Sequence, residues 1–414
     1  MSEVNGKVCL SMLTKIKGTY LLWILLLILP IIDSFNGLLN NGGNKGGISL
    51  GIIYRLMVML GCALALIAYK VRKRIAIFYA LFLGLLILSL SLNSRNMGQY
   101  LNLLVRLVLP LLIITAIESC VRAGVVRNNL TRGLFLKWRY WVPITIFIPY
   151  LAGMGFHTYE NATGYKGLYY AQNDIGYILI ILYLFSIYEL SKKIEFMNVV
   201  AVMALLICNL LLGLKSNYIL TVVITVLYFL KREQKRTDRS KKLLVMAAVM
   251  VGLLFILAAY GDKILLILKR WQHFYVQRDL ISFLTSSRSE RVLPAYKWLK
   301  SNLGFFGILC GSGVGYQWHT WGTRVDIIEM DLFDIFFQLG AIGVSLVYGF
   351  YFFVIKRYCA TGFFKWGFWL SLLYSTLVGH VLESALSGMF FALLCCGSIF
   401  EYYGNRVNEK IEYI

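Results

Sequence analysis

Apolar stretches of membrane-spanning length, one after another along the chain, restrict this sequence more than any single residue does. A helix needs about 20 mostly apolar residues to cross a bilayer. Twelve stretches meet or approach that length, at 19–33, 48–69, 75–92, 100–117, 141–154, 174–190, 196–213, 216–230, 243–260, 333–355, 364–382 and 386–402. The fifth and eighth are short. None alternates with the two-residue period of a membrane β-strand, so the backbone of these stretches must satisfy itself as helices. With 59% apolar residues, 15% charged and a mean hydropathy of +0.71, the chain reads as an all-α polytopic integral membrane protein of about 12 transmembrane helices.

Charge orients these spans. With the N-terminus inside, the inner side holds 26 of the 41 lysines and arginines, in clusters such as Lys70–Arg74, Arg122–Arg139 and Lys231–Lys242. The short outer connections carry only Lys45, Arg95, Lys166 and Lys215. Every short loop therefore follows the positive-inside rule, which places both termini in the cytoplasm. A soluble nucleic-acid binder is excluded, because the positive charge is spread over short loops rather than on a folded face. The run 231–242 (KREQKRTDRSKK) also suits anionic lipid headgroups.

Other features set bounds. The first span is long, ends at Ile31-Ile32-Asp33 and lacks a small-residue cleavage pattern, so it reads as a span and not as a cleaved signal. The eight cysteines have no CxxC spacing and no His-rich partner run, which gives them packing roles and predicts no metal. No repeat of 20–50 residues is visible. The chain divides into 1–260 with spans one to nine, 261–332 as a large extracytoplasmic segment, and 333–414 with spans ten to twelve and a cytoplasmic tail.

The long segment concentrates the chemistry. Residues 262–284 have apolar positions at helical spacing, fitting either an interfacial helix or one packed over the bundle. Ser286-Ser287-Arg288-Ser289-Glu290-Arg291 opens a second helix, with serines that suit its cap. Arg288 and Arg291, three apart, share a face at that helix start and can clamp an oxyanion or diphosphate. The GSGVG turn at Gly311–Gly315 lacks a P-loop lysine and a preceding strand, so it reads as a close backbone approach. Glu329, Asp331 and Asp334 then lead into the tenth span, with Asp331 and Asp334 on one face. These carboxylates suit a general base or structural ion pairs equally well. Arg55 and Arg106 lie in the outer halves of their spans, where ionisable groups either snorkel or face a polar cavity. His319 and Lys215 also fall on the outer side.

These features, in this order, resemble the O-antigen ligase and Wzy-type repeat-unit polymerase superfamily. The resemblance covers roughly 160–345. It rests on the outer-loop Gly-aromatic-Asn segment 164–176 (GYKGLYYAQNDIG), including Asn173, and on Lys215 after a Leu-rich span. It also rests on Ser286-Ser287-Arg288, the Gly311–Gly315 turn, and Glu329 eleven residues before Gly340 of a G-x-x-G. Two residues depart from the pattern: Lys215 stands where ligases carry arginine, and Glu329-Met330 replaces His-Asn. The second departure favours a polymerase over a ligase.

The resemblance implies a GT-C-like fold and inverting, metal-independent glycosyl transfer, without a cofactor, between undecaprenyl-diphosphate-linked oligosaccharides on the outer face of the cytoplasmic membrane. It implies catalytic roles for Glu329, Asp331 and Arg288, with Glu329 first as base. Substrate binding would fall to Lys215, Arg291, Arg106, Arg55, Asn173, Asp334 and His319. Membrane lipid, a flippase and chain-length regulators would be partners. The rival readings are a lipid-linked oligosaccharide flippase and a ligase acting on another acceptor.

Overall fold

The computed structural model describes residues 22–41, 49–92, 97–126, 129–159, 163–230, 279–313, 328–358 and 361–412, with a few single positions between 261 and 276. The expected ninth span, most of the expected helix over 262–284, and His319 lie outside these residues. The described chain is helical: α1 (Leu29–Asn41), α2 (Leu50–Ala68), α3 (Lys73–Leu92), α4 (Met97–Arg122), α5 (Leu130–Leu151), α6 (Gln172–Lys192), α7 (Phe196–Leu212) and α8 (Lys215–Leu230). The short α9 (Leu280–Leu284) follows, then α10 (Val292–Cys310), α11 (Asp331–Arg357), α12 (Gly362–Leu377) and α13 (Ala385–Glu412). No strand occurs among the described residues; one isolated bridge pairs His157 with Tyr165.

Among the described residues six helices are long and apolar enough to cross a membrane: α2, α6, α11, and the segments Lys73–Ser91 of α3, Leu104–Arg122 of α4 and Ala385–Asn405 of α13. This fits a polytopic membrane protein. At 17 and 16 residues, α7 and α8 are apolar but short. A rise of about 1.5 Å per residue leaves them under the roughly 30 Å of a bilayer core.

The chain forms two compact units. One comprises Met1–Leu29, Leu50–Gly133 and Thr285–Ile414. Its longest seam joins α4 to α13. The run Phe390–Cys396 of α13 is apolar on every side and wholly buried, as a helix hydrophobic all round must be. Cys62, Cys120, Cys310, Cys395 and Cys396 of this unit are buried and unbridged. A buried acid ties four helices at one end: Glu118 of α4 accepts Arg72 Nε at 2.7 Å and Tyr358 OH at 3.1 Å. Arg72 Nη2 continues to Tyr403 OH at 2.7 Å, joining α13 to the residues that precede α3.

The helix that leads to the acidic motif is broken. At Gly340 α11 takes φ 68° and ψ −171°, which ends the hydrogen-bond ladder of its first nine residues. Two carbonyls of that segment, Phe337 O and Gln338 O, are instead met by Ser312 N at 2.9 Å and Gly313 N at 3.1 Å. The Ser312 hydroxyl adds a 2.7 Å bond to Phe337 O. The approach is possible only because both sides lack a side chain. A Cβ on Gly340 would lie 2.1 Å from Leu309 O, and one on Gly311 2.4 Å from the Gln338 carbonyl. The glycine turn thus works as a close backbone approach, as its composition suggested.

The other unit comprises Pro30–Ser49 and Leu134–Leu284. It is built on α6, against which α7 and α8 pack. Residues 175–183 of α6 are buried throughout. Asn217 fixes the start of α8 by donating to Gly176 O at 2.9 Å and Asn209 Oδ1 at 2.7 Å.

Candidate functional site

The site begins at the N-terminus of α11. A helix start leaves four N–H groups without intrahelical partners and carries partial positive charge. Asp334 turns back to the residues before the helix, accepting Ile328 N at 2.6 Å and Met330 N at 2.8 Å. This fold-back puts Glu329, between those two donors, at φ 69°. A residue with a side chain takes that left-handed conformation only when its surroundings impose it.

Glu329 meets Arg288. Arg288 Nη2 and Nε stand 2.8 and 3.0 Å from Glu329 Oε2, a charge-assisted contact using one carboxylate oxygen. No partner of Oε1 occurs among the described residues, and the Glu329 side chain is 39% exposed against 13% for Arg288. The arginine is set by a tight turn. Ser286 and Ser287 both take positive φ, Arg288 N bonds Thr285 O at 3.2 Å, and the Thr285 hydroxyl lies 2.9 Å from that of Ser289. Arg291 closes the single 3-10 turn that leads into α10 and is half-buried.

Asp331 is fully buried and faces the connection between α12 and α13. Its Oδ2 accepts Val381 N at 2.7 Å and Leu382 N at 2.8 Å. Its Oδ1 accepts Glu383 N at 3.3 Å and lies 3.2 Å from His380 Nδ1. Asp334 Oδ2 stands 3.9 Å from the same ring nitrogen. Glu383, 2% exposed, has its Oε2 3.5 Å from Gln338 Nε2. The broken part of α11, held by the 312–313 turn, therefore delivers Gln338 to Glu383.

The electrostatics of this connection follow from burial and crowding. Burial lifts the Glu383 carboxyl well above its usual range; Asp334 and Asp331 add to that, while His380 and Arg106 oppose it. Burial alone would lower the His380 pKa. The hydrogen bond to Asp331 and the charges of Asp331, Asp334 and Glu383 outweigh it and raise the ring to about 10.

Arg288, Glu329, Asp331 and Asp334 thus belong to one unit, with Arg106 of α4 facing Glu383 electrostatically. Arg55 is half-buried in α2. Lys215 and Asn173 belong to the other unit. Lys215, first residue of α8, donates from Nζ to Phe283 O and lies 4.1 Å over the Phe283 ring. Asn173 is the second residue of α6. In the segment before it, the buried Tyr169 hydroxyl lies 2.8 Å from Thr145 Oγ1 and 3.2 Å from Pro30 O.

Reasoning from sequence missed His380 and Glu383. The available signal was two ionisable residues, three apart, inside a long apolar stretch. Known protein families, curated proteins and solved structures give no match to this chain. Its function is therefore argued from the site.

Proposed function

We propose that the protein is a membrane glycosyltransferase that polymerises undecaprenyl-diphosphate-linked oligosaccharide repeat units on the outer face of the cytoplasmic membrane. The observation that carries this reading is the direct contact of Arg288 with Glu329 beside a helix N-terminus. Inverting transfer needs a base for the acceptor hydroxyl and cations for the departing diphosphate. In this reading Glu329 takes the hydroxyl proton on Oε1, the oxygen not engaged by Arg288. The hydroxyl oxygen attacks the sugar C1 as the C1–O bond to diphosphate breaks, and Arg288 with Arg291 receives the phosphate charge. The carboxylate and guanidinium hold each other in place until substrate arrives. Asp331, with its oxygens committed to the 381–383 backbone, positions the site and leaves the base role to Glu329.

The reading includes twelve spans in a GT-C-like arrangement, both termini cytoplasmic, and a flippase and chain-length regulators as partners. It calls for no metal at the sugar carbon. Purified protein supplied with a defined lipid-linked repeat unit tests it. Glu329→Gln should slow polymer formation about 10²–10⁴-fold while substrate still binds. Arg288→Ala should abolish polymer, and Arg288→Lys should restore little, because an ammonium cannot make the forked phosphate contact. Normal polymer from Arg288→Ala would remove the diphosphate site from this place.

A second reading, a lipid-linked oligosaccharide flippase, draws on the break of α11 at Gly340 and the buried ionisable groups next to it. Deleting the gene separates the two. Loss of a polymerase leaves single repeat units on the outer face, whereas loss of a flippase leaves them on the inner face.

A further inference from the structure

Three buried polar atoms of the cluster between α11 and the 378–384 connection have no partner among the described residues: His380 Nε2, Glu383 Oε1 and Gln338 Oε1. Glu383 and Gln338 are only 2% and 8% exposed. Leaving such atoms unmet is costly, so three in one place call for a common ligand. In each residue the other polar atom is already engaged. His380 Nδ1 faces Asp331, and the Gln338 amide nitrogen faces Glu383 Oε2.

With Nδ1–H directed at Asp331, an ion arriving at Nε2 takes the place of the ring's second proton and meets its lone pair, the arrangement by which a carboxylate orients a metal-binding histidine. With Nε2 in that state all three unmet atoms are acceptors, which suits a cation. Ligand atoms of His380 and Glu383 lie within 4.8 Å of each other and of Asp331, and the Gln338 amide nitrogen stands 3.5 Å from Glu383 Oε2, so the three residues with unmet atoms border one small space.

We propose that His380 Nε2, the Glu383 carboxylate and the Gln338 amide oxygen bind a divalent cation, with Asp331 behind His380 as its orienting partner. A nitrogen-and-oxygen donor set of this size suits a first-row ion such as Zn²⁺ rather than Ca²⁺, which gathers six or more oxygens. The inference does not rest on the glycosyl-transfer reading: the ion acts on the fold, fastening the 378–384 connection to the first segment of α11.

The full chain, purified in detergent, stripped with a chelator and dialysed, is equilibrated with Zn²⁺, and bound metal is measured by mass spectrometry. The expected result is about one ion per chain together with a higher melting temperature. Glu383→Gln and His380→Ala should each lose the ion, and Asp331→Asn should weaken it about 10–100-fold. His157→Ala, at an exposed histidine of the other unit, should leave the stoichiometry unchanged. Glu383→Gln keeps the side-chain shape and decides the matter should His380→Ala not fold. Wild-type protein that takes up no Zn²⁺, or Glu383→Gln that binds as wild type does, overturns the proposal.

Discussion

Glu329 shows what one residue is made to bear. It holds a left-handed backbone that its side chain resists, and it does so with its carboxylate on Arg288. The two effects separate by mutation. Both Glu329→Ala and Glu329→Gly lose the ion pair, but only glycine also loses the backbone strain. In thermal or denaturant unfolding, the glycine variant should be more stable than the alanine variant by about 1 kcal/mol. Equal stabilities would mean the residue relaxes once its side chain is gone. Arg288, Glu329, Asp331 and Asp334 were legible in the sequence because they crowd into one charged segment. Their division of labour was not, because it depends on which donors reach which oxygen. Asp331 meets backbone 50 residues further on, and no spacing rule carries that information. No spacing rule singles out His380 either, since its meaning lies in the carboxylates around it.

At the scale of the element, α11 is where sequence and structure part. Gly340-Ala341-Ile342-Gly343 lies in an uninterrupted apolar stretch, and apolar periodicity reads it as a continuing span. The break appears only when the 311–313 turn arrives to accept the role of the missing helical donors. Gly340→Ala should therefore cost far more than the usual helix-interior exchange, which favours alanine by about 1 kcal/mol. Here alanine must enter positive φ and meet Leu309 O, so detergent-solubilised protein should melt at a lower temperature, with a loss above about 2 kcal/mol. A rise in stability would mean that α11 straightens with little penalty. The GSGVG turn itself was readable, since glycine at that density signals backbone contact more generally than any ligand.

For the molecule as a whole, composition was decisive for class and less so for number. Apolar content and helical spacing are enough for a polytopic helical protein, and six helices among the described residues satisfy the length and hydropathy of a span. Length separates three of the others from the expected twelve, since α7, α8 and α12 have 16 or 17 residues; α5, at 22 residues, is long enough but not apolar enough, and the ninth expected span and the start of the first lie outside the described residues. Orientation rests on charge and has a direct test. Ser301, exposed on α10, belongs to the segment expected outside. In a background without native cysteines, Ser301→Cys should react with an impermeant maleimide in intact spheroplasts. Labelling that requires lysis would reverse the topology.

The anchoring of Asp331 also sets an order in time. A chain made from its N-terminus inserts α11 well before residues 381–383 leave the ribosome. Until then the carboxylate at the head of α11 has none of the backbone donors that later surround it, and a buried charge in that condition is costly. The start of α11 must wait near water while α12 is still being made. Only when the turn after α12 swings its amides onto Asp331 can the acid settle, bringing His380 and Glu383 with it. The packing around Asp331 is thus among the last things the synthesis of this protein completes, and a nascent chain halted after α12 has most of its helices and no finished cluster.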